Sequence, residues 1–581
     1  MKHFCFFLPA AFCCTLGAQQ PVFTRITDAS NPVVNFSNTQ APYKGLAWID
    51  LDGDNRPDLF MSQRFLFHND GNGQFTQLTS IPGAQGGQAA AGSSWGDIDN
   101  DGDPDCITAS AGSGLHLNDG NSSFTLSTGN IPDLQGFAAW DCVLADADNN
   151  GLLDPLFVHA EGFHTTGPFP CKFYLQTSPG TFVAQSDYEF TDFNDPYTVP
   201  TWTDYDLDGD LDLFIGAGPG NGLGPDYRYK NLLKETGNFS LQRLTAPPFN
   251  LFENGQVYNF IDYDNDGDMD GFLTNYIGVA SRFWKNENGV LTLTSMPFTQ
   301  TSNAYLSNVW GDVDNDGDLD VLLSIDGTPQ VTLYRNNGNG GFLAAQPAGS
   351  ADSTPCSIGL ADFDNDGDLD FATNGPLGGR ALFRNDELAS GLHWIAFTLT
   401  GTASNRSAIG ARIRVKANID NQSIWQIREV LAHNSFQTQS DLRQHFGLKG
   451  ATTIDSLEIY WPSGLVQRFG AQNADRFYRI TEGEQPEAVS AVTNVIENLP
   501  DLKISPNPIA GIFMVEIGPT NLVVQTIQLR DIQGKDIHAD VKCLNPNTFE
   551  VKLPEILPTG IYSFTLNFTS GQSISRSVVK K

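Results

Sequence analysis

The chain has 581 residues, 33 basic against 67 acidic, and a net charge of −34. That length exceeds what one hydrophobic core supports, so two to four domains are expected. The charge argues against nucleic acid and anionic membrane surfaces as partners, and 40% hydrophobic residues with 57 glycines exclude wholesale disorder.

Residues 1–18 read as a secretory signal peptide. Lys2 and His3 give a basic start, Phe4 to Leu16 an apolar stretch, and Gly17-Ala18 the small residues of a cleavage site ahead of Gln19. No later run of about 18 apolar residues follows, so no transmembrane segment is expected. Three of the eight cysteines lie in that leader. The remaining five (Cys106, Cys142, Cys171, Cys356 and Cys543) show no metal-type spacing, and a Cys106–Cys142 bridge and buried thiols both stay open.

From Asp50 a nine-residue segment recurs seven times, starting at Asp50, Asp97, Asp146, Asp204, Asp262, Asp312 and Asp362, with successive starts 47, 49, 58, 58, 50 and 50 residues apart. The flanks repeat as well. A large aromatic stands two residues ahead in five copies (Trp48, Trp95, Trp202, Phe260 and Trp310), and packing between repeats is its simplest role. Behind each segment comes a β-type run, then turns such as Asn69-Asp70-Gly71 and Asn337-Gly338 between apolar residues, which signal hairpins. Several short antiparallel strands in about 50 residues make one propeller blade. Seven repeats predict a seven-bladed β-propeller, and the strand pattern at Phe23-Thr24-Arg25-Ile26 is expected to complete its last blade.

Each segment is built to bind calcium. Positions one, three, five and nine carry oxygen-bearing side chains, glycine or asparagine at position six permits a sharp turn, and position seven offers its main-chain carbonyl. The ligand positions are Asp50, Asp52, Asp54, Arg56 and Asp58 in loop 1. In loop 2 they are Asp97, Asp99, Asp101, Asp103 and Asp105, and in loop 3 Asp146, Asp148, Asn150, Leu152 and Asp154. Loop 4 has Asp204, Asp206, Asp208, Asp210 and Asp212; loop 5 has Asp262, Asp264, Asp266, Asp268 and Asp270. Loop 6 has Asp312, Asp314, Asp316, Asp318 and Asp320; loop 7 has Asp362, Asp364, Asp366, Asp368 and Asp370. Two carboxylates about 4–5 Å apart repel by roughly 3–4 kcal/mol at an effective dielectric of about 20, so four converging ones call for a divalent partner. A flexible all-protein oxygen cage suits calcium better than magnesium, which keeps its waters. An EF-hand is excluded because Met61, Leu323 and Thr373 stand where its twelfth-position glutamate belongs. The loops hold 32 of the 67 acids, and seven divalent ions would bring −34 to −20. By carboxylate count loops 4 to 7 rank highest, loop 2 close behind, loop 1 serviceable with Asn55 at position six, and loop 3 weakest.

These loops with their Asn-x-Gly-x-Gly-x-Phe turns resemble the FG-GAP/VCBS repeats of integrin α-subunit propellers and bacterial surface proteins. The resemblance implies up to seven structural calcium ions over a propeller spanning 21–391. From 392 to 481 the segments NRSAIGARIRVKA (405–417), SFQTQSDLRQHFGLKG (435–450) and LEIYWPSGLVQRF (457–469) are similar to the ASPIC/UnbV domain of proteins related to cartilage acidic protein. Ile413/Val415 and Leu457/Ile459/Trp461 alternate with polar residues, so this small domain is expected to be β-rich. His445 beside Phe446-Gly447-Leu448 is expected to be a packed or turn histidine, as are His164 and His433. Residues 482–499 read as a polar linker. Residues 500–581, with ISPNPIAGIFMVEI (504–517) and LPTGIYSFTL (557–566), look like the C-terminal sorting domain of the type IX secretion system. That implies an Ig-like β-sandwich, Pro506-Asn507-Pro508 with Gly511 as its opening turn, and passage through that machinery to the outer cell surface or medium.

The fold expected is therefore all-β throughout. Two function classes fit it. The favoured one is non-catalytic recognition or adhesion of a glycan or a surface protein; the rival is a polysaccharide lyase or hydrolase on a calcium-stabilised propeller. No nucleophile–base spacing stands out, and the loop carboxylates are committed to metal, so no catalytic residue is assigned.

Overall fold

The computed structural model describes residues 23–489 and 502–580 apart from short internal stretches, of which 36–43, 81–91 and 160–169 are the longest. The signal peptide, His164 and the Pro506–Pro508 turn with Gly511 lie outside the described residues. The chain divides into two compact units, Met1–Val492 and Thr493–Lys581.

The first unit contains seven four-stranded antiparallel sheets. Their first strands are Leu46–Ile49, Ser93–Gly96, Asp141–Ala145, Tyr197–Thr203, Gly255–Ile261, Tyr305–Gly311 and Ser357–Ala361. These strands are almost wholly buried and touch one another in chain order, with the last meeting the first. The result is a closed ring of seven blades. Its seam is closed as expected: Phe23–Arg25 pairs with Ala381–Asn385 as the fourth, outermost strand of blade 7. Aromatics fill the gaps between blades. Trp48 stacks on Phe363 of blade 7 at 5.9 Å, Trp95 meets Phe60 of blade 1 at 5.2 Å, and Trp202 meets Phe173 of blade 3 at 5.7 Å. Phe260 meets Phe214 of blade 4 at 4.6 Å and Trp310 meets Phe272 of blade 5 at 5.8 Å. Cys106 and Cys142 are buried thiols that each donate to the Ile107 carbonyl, at 3.4 and 3.5 Å.

Residues 393–489 form two further four-stranded sheets. One orders Gln444–Lys449, His393–Thr400, Arg476–Thr481 and Glu487–Val489; the other orders Gln422–Glu429, Arg412–Ile419, Ser456–Tyr460 and Val466–Phe469. The alternating residues Ile413, Val415, Leu457 and Ile459 all point into their shared core. The stretch 482–489, read from sequence as linker, is instead part of this body. Glu482 is buried and accepts the main-chain N–H groups of Thr402, Ala403 and Ser404 at 2.8 Å each, after which Glu487–Val489 adds the fourth strand. A polar segment that supplies a buried anion to three peptide N–H groups has no apolar signature to betray it.

The loop after Gln422–Glu429 runs into the centre of the ring and plugs it. Gln439 pairs its main chain with Leu46 and Trp48 of blade 1 at 3.1 Å, and its side-chain oxygen accepts the Trp95 N–H of blade 2 at 2.8 Å. Gln437 donates to the Trp140 carbonyl beside blade 3 at 2.9 Å, and His433 meets Asp141 at 3.1 Å, both fully buried. Asn259 of blade 5 donates to the Asn434 carbonyl at 3.0 Å. The Ser307 hydroxyl of blade 6 contacts that of Ser435, and the Leu360 N–H of blade 7 reaches Ser440 at 3.1 Å. Phe436 packs among Val199 of blade 4, Val257, Leu306 and Cys356. All seven blades therefore touch one loop.

The second unit is a two-sheet sandwich of four and three antiparallel strands. Phe513, Val515, Phe549 and Val551 of one sheet meet Leu529, Tyr562, Phe564 and Leu566 of the other.

Candidate metal centres

In all seven blades the aspartate loop joins the first strand to the second, and its ninth residue opens the second strand. The loops curl through two left-handed positions. Position six has φ between 88° and 113° where it is glycine, and Asn55 takes φ 65° in loop 1. Position four also has positive φ, including 61° at Leu207.

The ninth-position carboxylates are fixed on one side. Asp58, Asp105, Asp154, Asp212, Asp270, Asp320 and Asp370 each accept a main-chain N–H, at 2.6–2.8 Å, from Asn69, Asn118, Gln176, Asn231, Asn286, Asn336 and Asn385 at the third strand. The first-position carboxylates accept the position-six N–H, as in Gly102 to Asp97 at 2.8 Å and Gly317 to Asp312 at 2.8 Å. With those bonds satisfied, other oxygens of these residues, and oxygens of the third-position aspartates, stay buried without a hydrogen bond. Among them are Asp204 Oδ1, Asp206 Oδ1 and Asp212 Oδ2 in loop 4, Asp262 Oδ1 and Asp264 Oδ1 in loop 5, Asp50 Oδ1 in loop 1 and Asp148 Oδ1 in loop 3. Carboxylate oxygens of positions one, three and nine come within 4.8 Å of one another in loops 2, 3 and 4. Buried, orphaned, converging carboxylate oxygens fit a divalent cation, and several of these acidic clusters could hold one.

Burial first, with neighbouring carboxylates adding to it, drives the loop acids toward the neutral form. Asp105, Asp146, Asp262 and Asp366 are pushed up to about 7, Asp316 and Asp368 to about 8, and Asp270 to about 9. Asp154, Asp204, Asp212, Asp312, Asp320, Asp362 and Asp370 rise well above the ordinary carboxylate range.

Two sets of residues that the spacing argument passed over tie the centres together. The third-strand amides reach back to the preceding blade: Asn69 donates to Phe363 O at 2.7 Å, Asn231 to Ala147 O at 2.8 Å, Asn336 to Tyr263 O at 2.7 Å and Asn385 to Val313 O at 2.8 Å. Position-four asparagines reach forward to the position-six carbonyl of the next loop: Asn100 to Gly151, Asn149 to Gly209, Asn265 to Gly317, Asn315 to Gly367 and Asn365 to Asn55, all at 3.0–3.2 Å. The position-four asparagines recur three residues after the first aspartate, which is the signal that would have found them, whereas the third-strand amides follow it by 19 to 30 residues and carry no such signal. The chain breaks the forward series at Gly53 and Leu207.

The second β body lies against these loops. Arg412 meets Asp204 at 2.8 Å, Arg406 meets Asp97 at 3.4 Å, and Asn405 donates to Asp146 at 3.4 Å. His445 shares a hydrogen bond with the Gly367 carbonyl at 3.0 Å, and burial holds its pKa down at about 3. It and His433 are therefore packed histidines.

A closed ring of seven blades with an aspartate loop at the same place in each defines a β-propeller of the FG-GAP type. Family profiles make the architecture particular: residues 50–108, 97–157, 262–323 and 312–373 match the FG-GAP-like repeat, 401–487 match ASPIC and UnbV, and 503–581 match the secretion system C-terminal sorting domain. The chain thus carries FG-GAP-like repeats, an ASPIC/UnbV domain and a type IX sorting domain, and the last directs export to the cell surface or the medium. Among the described residues no helix is long and apolar enough to cross a membrane. A search of curated proteins returns no match. Among solved structures the chain is similar to a lectin of Agrocybe aegerita that recognises non-reducing terminal N-acetylglucosamine, at 16% identity over 58% of this chain and 85% of that one, TM-score 0.38. It is also similar to Sqt1 of Saccharomyces cerevisiae, at 12% identity over 60% and 98%, TM-score 0.37. A third is the extracellular domain of a hybrid two-component system of B. thetaiotaomicron, at 10% identity over 92% and 69%, TM-score 0.26.

Proposed function

We propose that this exported propeller is a calcium-stabilised, non-catalytic recognition protein, with calcium in its seven loops and a glycan as its ligand. The observation that carries the calcium reading is the set of buried loop oxygens without hydrogen bonds, led by Asp204, Asp212 and Asp262. The plug fills the channel where many propellers hold a ligand, so recognition falls elsewhere. A cavity of about 460 Å³ opens between loops 1 and 2 and the second β body. It lies where the forward series of asparagines is interrupted: Gly53 has no side chain to send to loop 2, and the Arg406 guanidinium packs beside Gly102 instead. Arg406, Arg443 and Arg479 line it together with Asp50, Asp97 and Asp441. In a chain with 33 basic residues against 67 acidic ones, three guanidiniums in one cavity favour a saccharide bearing carboxylate or sulfate groups.

The test is an array of neutral and acidic oligosaccharides, followed by calorimetry and an assay for released reducing ends. Binding of acidic members, weakened by Arg479→Ala, supports the reading. Binding spread evenly over neutral glycans, or none, removes the acidic-glycan assignment. Steady release of reducing ends that survives purification would replace recognition with polysaccharide degradation.

A further inference from the structure

The residue just before each third-strand amide is His68, Leu117, Leu175, Lys230, Lys285, Arg335 and Arg384 in blades 1 to 7. Five are basic, and each of these reaches its own loop. Lys230 meets Asp208 at 3.1 Å and Glu235 at 2.7 Å and also contacts Asp206. Lys285 meets Asp264 at 2.8 Å and Asp266 at 3.9 Å. The buried Arg335 contacts Asp314, and Arg384 lies 4.0 Å from Asp364. His68 meets Asp58 at 3.0 Å and Asp52 at 3.9 Å. Blades 2 and 3 have only leucine there. Loop 1 also pairs Asp54 with its own Arg56. From the opposite side loop 4 receives Arg412 and loop 2 Arg406 in direct pairs, Arg428 and Arg443 add positive charge near loops 5, 6 and 7, and loop 3 receives the neutral Asn405.

We propose that these tethered side chains are internal counter-ions occupying the carboxylates that the metal needs, so that calcium fills the loops in order of directly paired positive charge, loops 3 and 2 first and loop 4, paired with both Lys230 and Arg412, last. The inference rests on the calcium reading given above and reverses the order expected from counting carboxylates. Calcium entering loop 4 must take Asp206 and Asp208 from Lys230, whose backbone anchor in the third strand keeps its ammonium within reach of the loop. Calcium entering loop 3 displaces no cation, and its three aspartates with Asn150 are held in place by neutral donors. Affinity in such loops is set by the net charge and rigidity of the ligand set, and this chain varies the charge from a neighbouring strand.

Loops 4 and 5 carry their own reporters, since Tyr205 and Tyr263 stand at the second loop position, where the others have apolar residues without a phenol. Terbium, a calcium-sized ion that emits when a nearby tyrosine is excited, then reports loop 4 through the part of the signal that Tyr205→Phe removes. The experiment titrates the calcium-free full chain with calcium by calorimetry and with terbium by luminescence. The expected result is at least two affinity classes, with the Tyr205-dependent emission rising last. Lys230→Met should tighten that late phase by about tenfold or more, and Leu175→Lys should move one ion from the tight class to the weak class. Circular dichroism of the metal-free variants shows that they fold. Seven equivalent sites, or a late phase unmoved by Lys230→Met, overturns the proposal. Absence of any calcium binding overturns the calcium reading itself, a separate result.

Discussion

Asp320 is fully buried, surrounded by Asp312, Asp314 and Asp316, and held on one oxygen by the Asn336 N–H at 2.7 Å. The Asn336 side chain then does two further things at once, donating to Tyr263 O of the preceding blade at 2.7 Å and to Leu319 O at 3.2 Å. One residue therefore fixes the loop's ligand and its neighbour blade. Asn336→Ala strips both carbonyls of their donor while the main-chain bond to Asp320 survives, so a loss of about 1–3 kcal/mol is expected in urea unfolding. Asn339→Ala serves as the control. That amide is exposed and bonds only within its own turn, to Asn337 O at 3.1 Å, and its loss is expected to stay within about 0.5 kcal/mol. Equal losses for the two variants would mean that the inter-blade bond adds nothing.

At the scale of elements, the plug decides how the ring's centre is filled. Phe436 is its apolar anchor, 1% exposed and enclosed by blades 4 to 7. Phe436→Ala is expected to cost about 3–5 kcal/mol in the melting of the first unit. Gly45→Ala attacks the same seat from blade 1, because its Cβ would lie 1.8 Å from the Gln437 carbonyl oxygen. It should expel that part of the loop and expose it to protease, and an unchanged digestion pattern would refute the fit. Blades, loops and sorting domain were legible because each is local: a nine-residue pattern, a hairpin turn and an aromatic at fixed offset all report on neighbours in the chain. The plug was not, because SFQTQSD is polar and its partners lie up to about 390 residues away, in strands whose inward faces look like any buried strand. The basic residues facing the loops were missed for a related reason. Lys230 and Lys285 stand at ordinary outward positions of a strand, and only the return of the chain beside its own loop gives them acidic partners.

For the whole molecule, the calcium reading predicts that the loop acids couple stability to calcium and to pH with opposite signs. Without metal, burial first and neighbouring charge second raise Asp50, Asp105, Asp146, Asp262 and Asp366 to about 7, Asp316 and Asp368 to about 8, and Asp270 to about 9, against 3.8 unfolded. The folded chain then holds more protons than the unfolded one, so stability is fully present below the unfolded value and is lost as pH rises through 7 to 9. Two buried histidines act the other way, with His116 lowered to about 4 and His445 to about 3, but both are neutral in either state above about pH 7.5. His68, raised to about 9 chiefly by its bond to Asp58, adds to the loss. Calcium in the loops should reverse the slope, because it would take the place of those protons and bind more tightly as they leave. Each filled site contributes about 2.7 kcal/mol when calcium stands at about 100 times its dissociation constant. In calcium-depleted buffer the melting temperature should therefore fall from pH 7 to pH 9, and in millimolar calcium it should hold or rise over the same interval. Scanning calorimetry of the full chain in both buffers measures the gap, which should widen steadily with pH. A gap of constant size would mean that calcium does not replace protons on these carboxylates, and the loops would then owe their acidity to something other than metal.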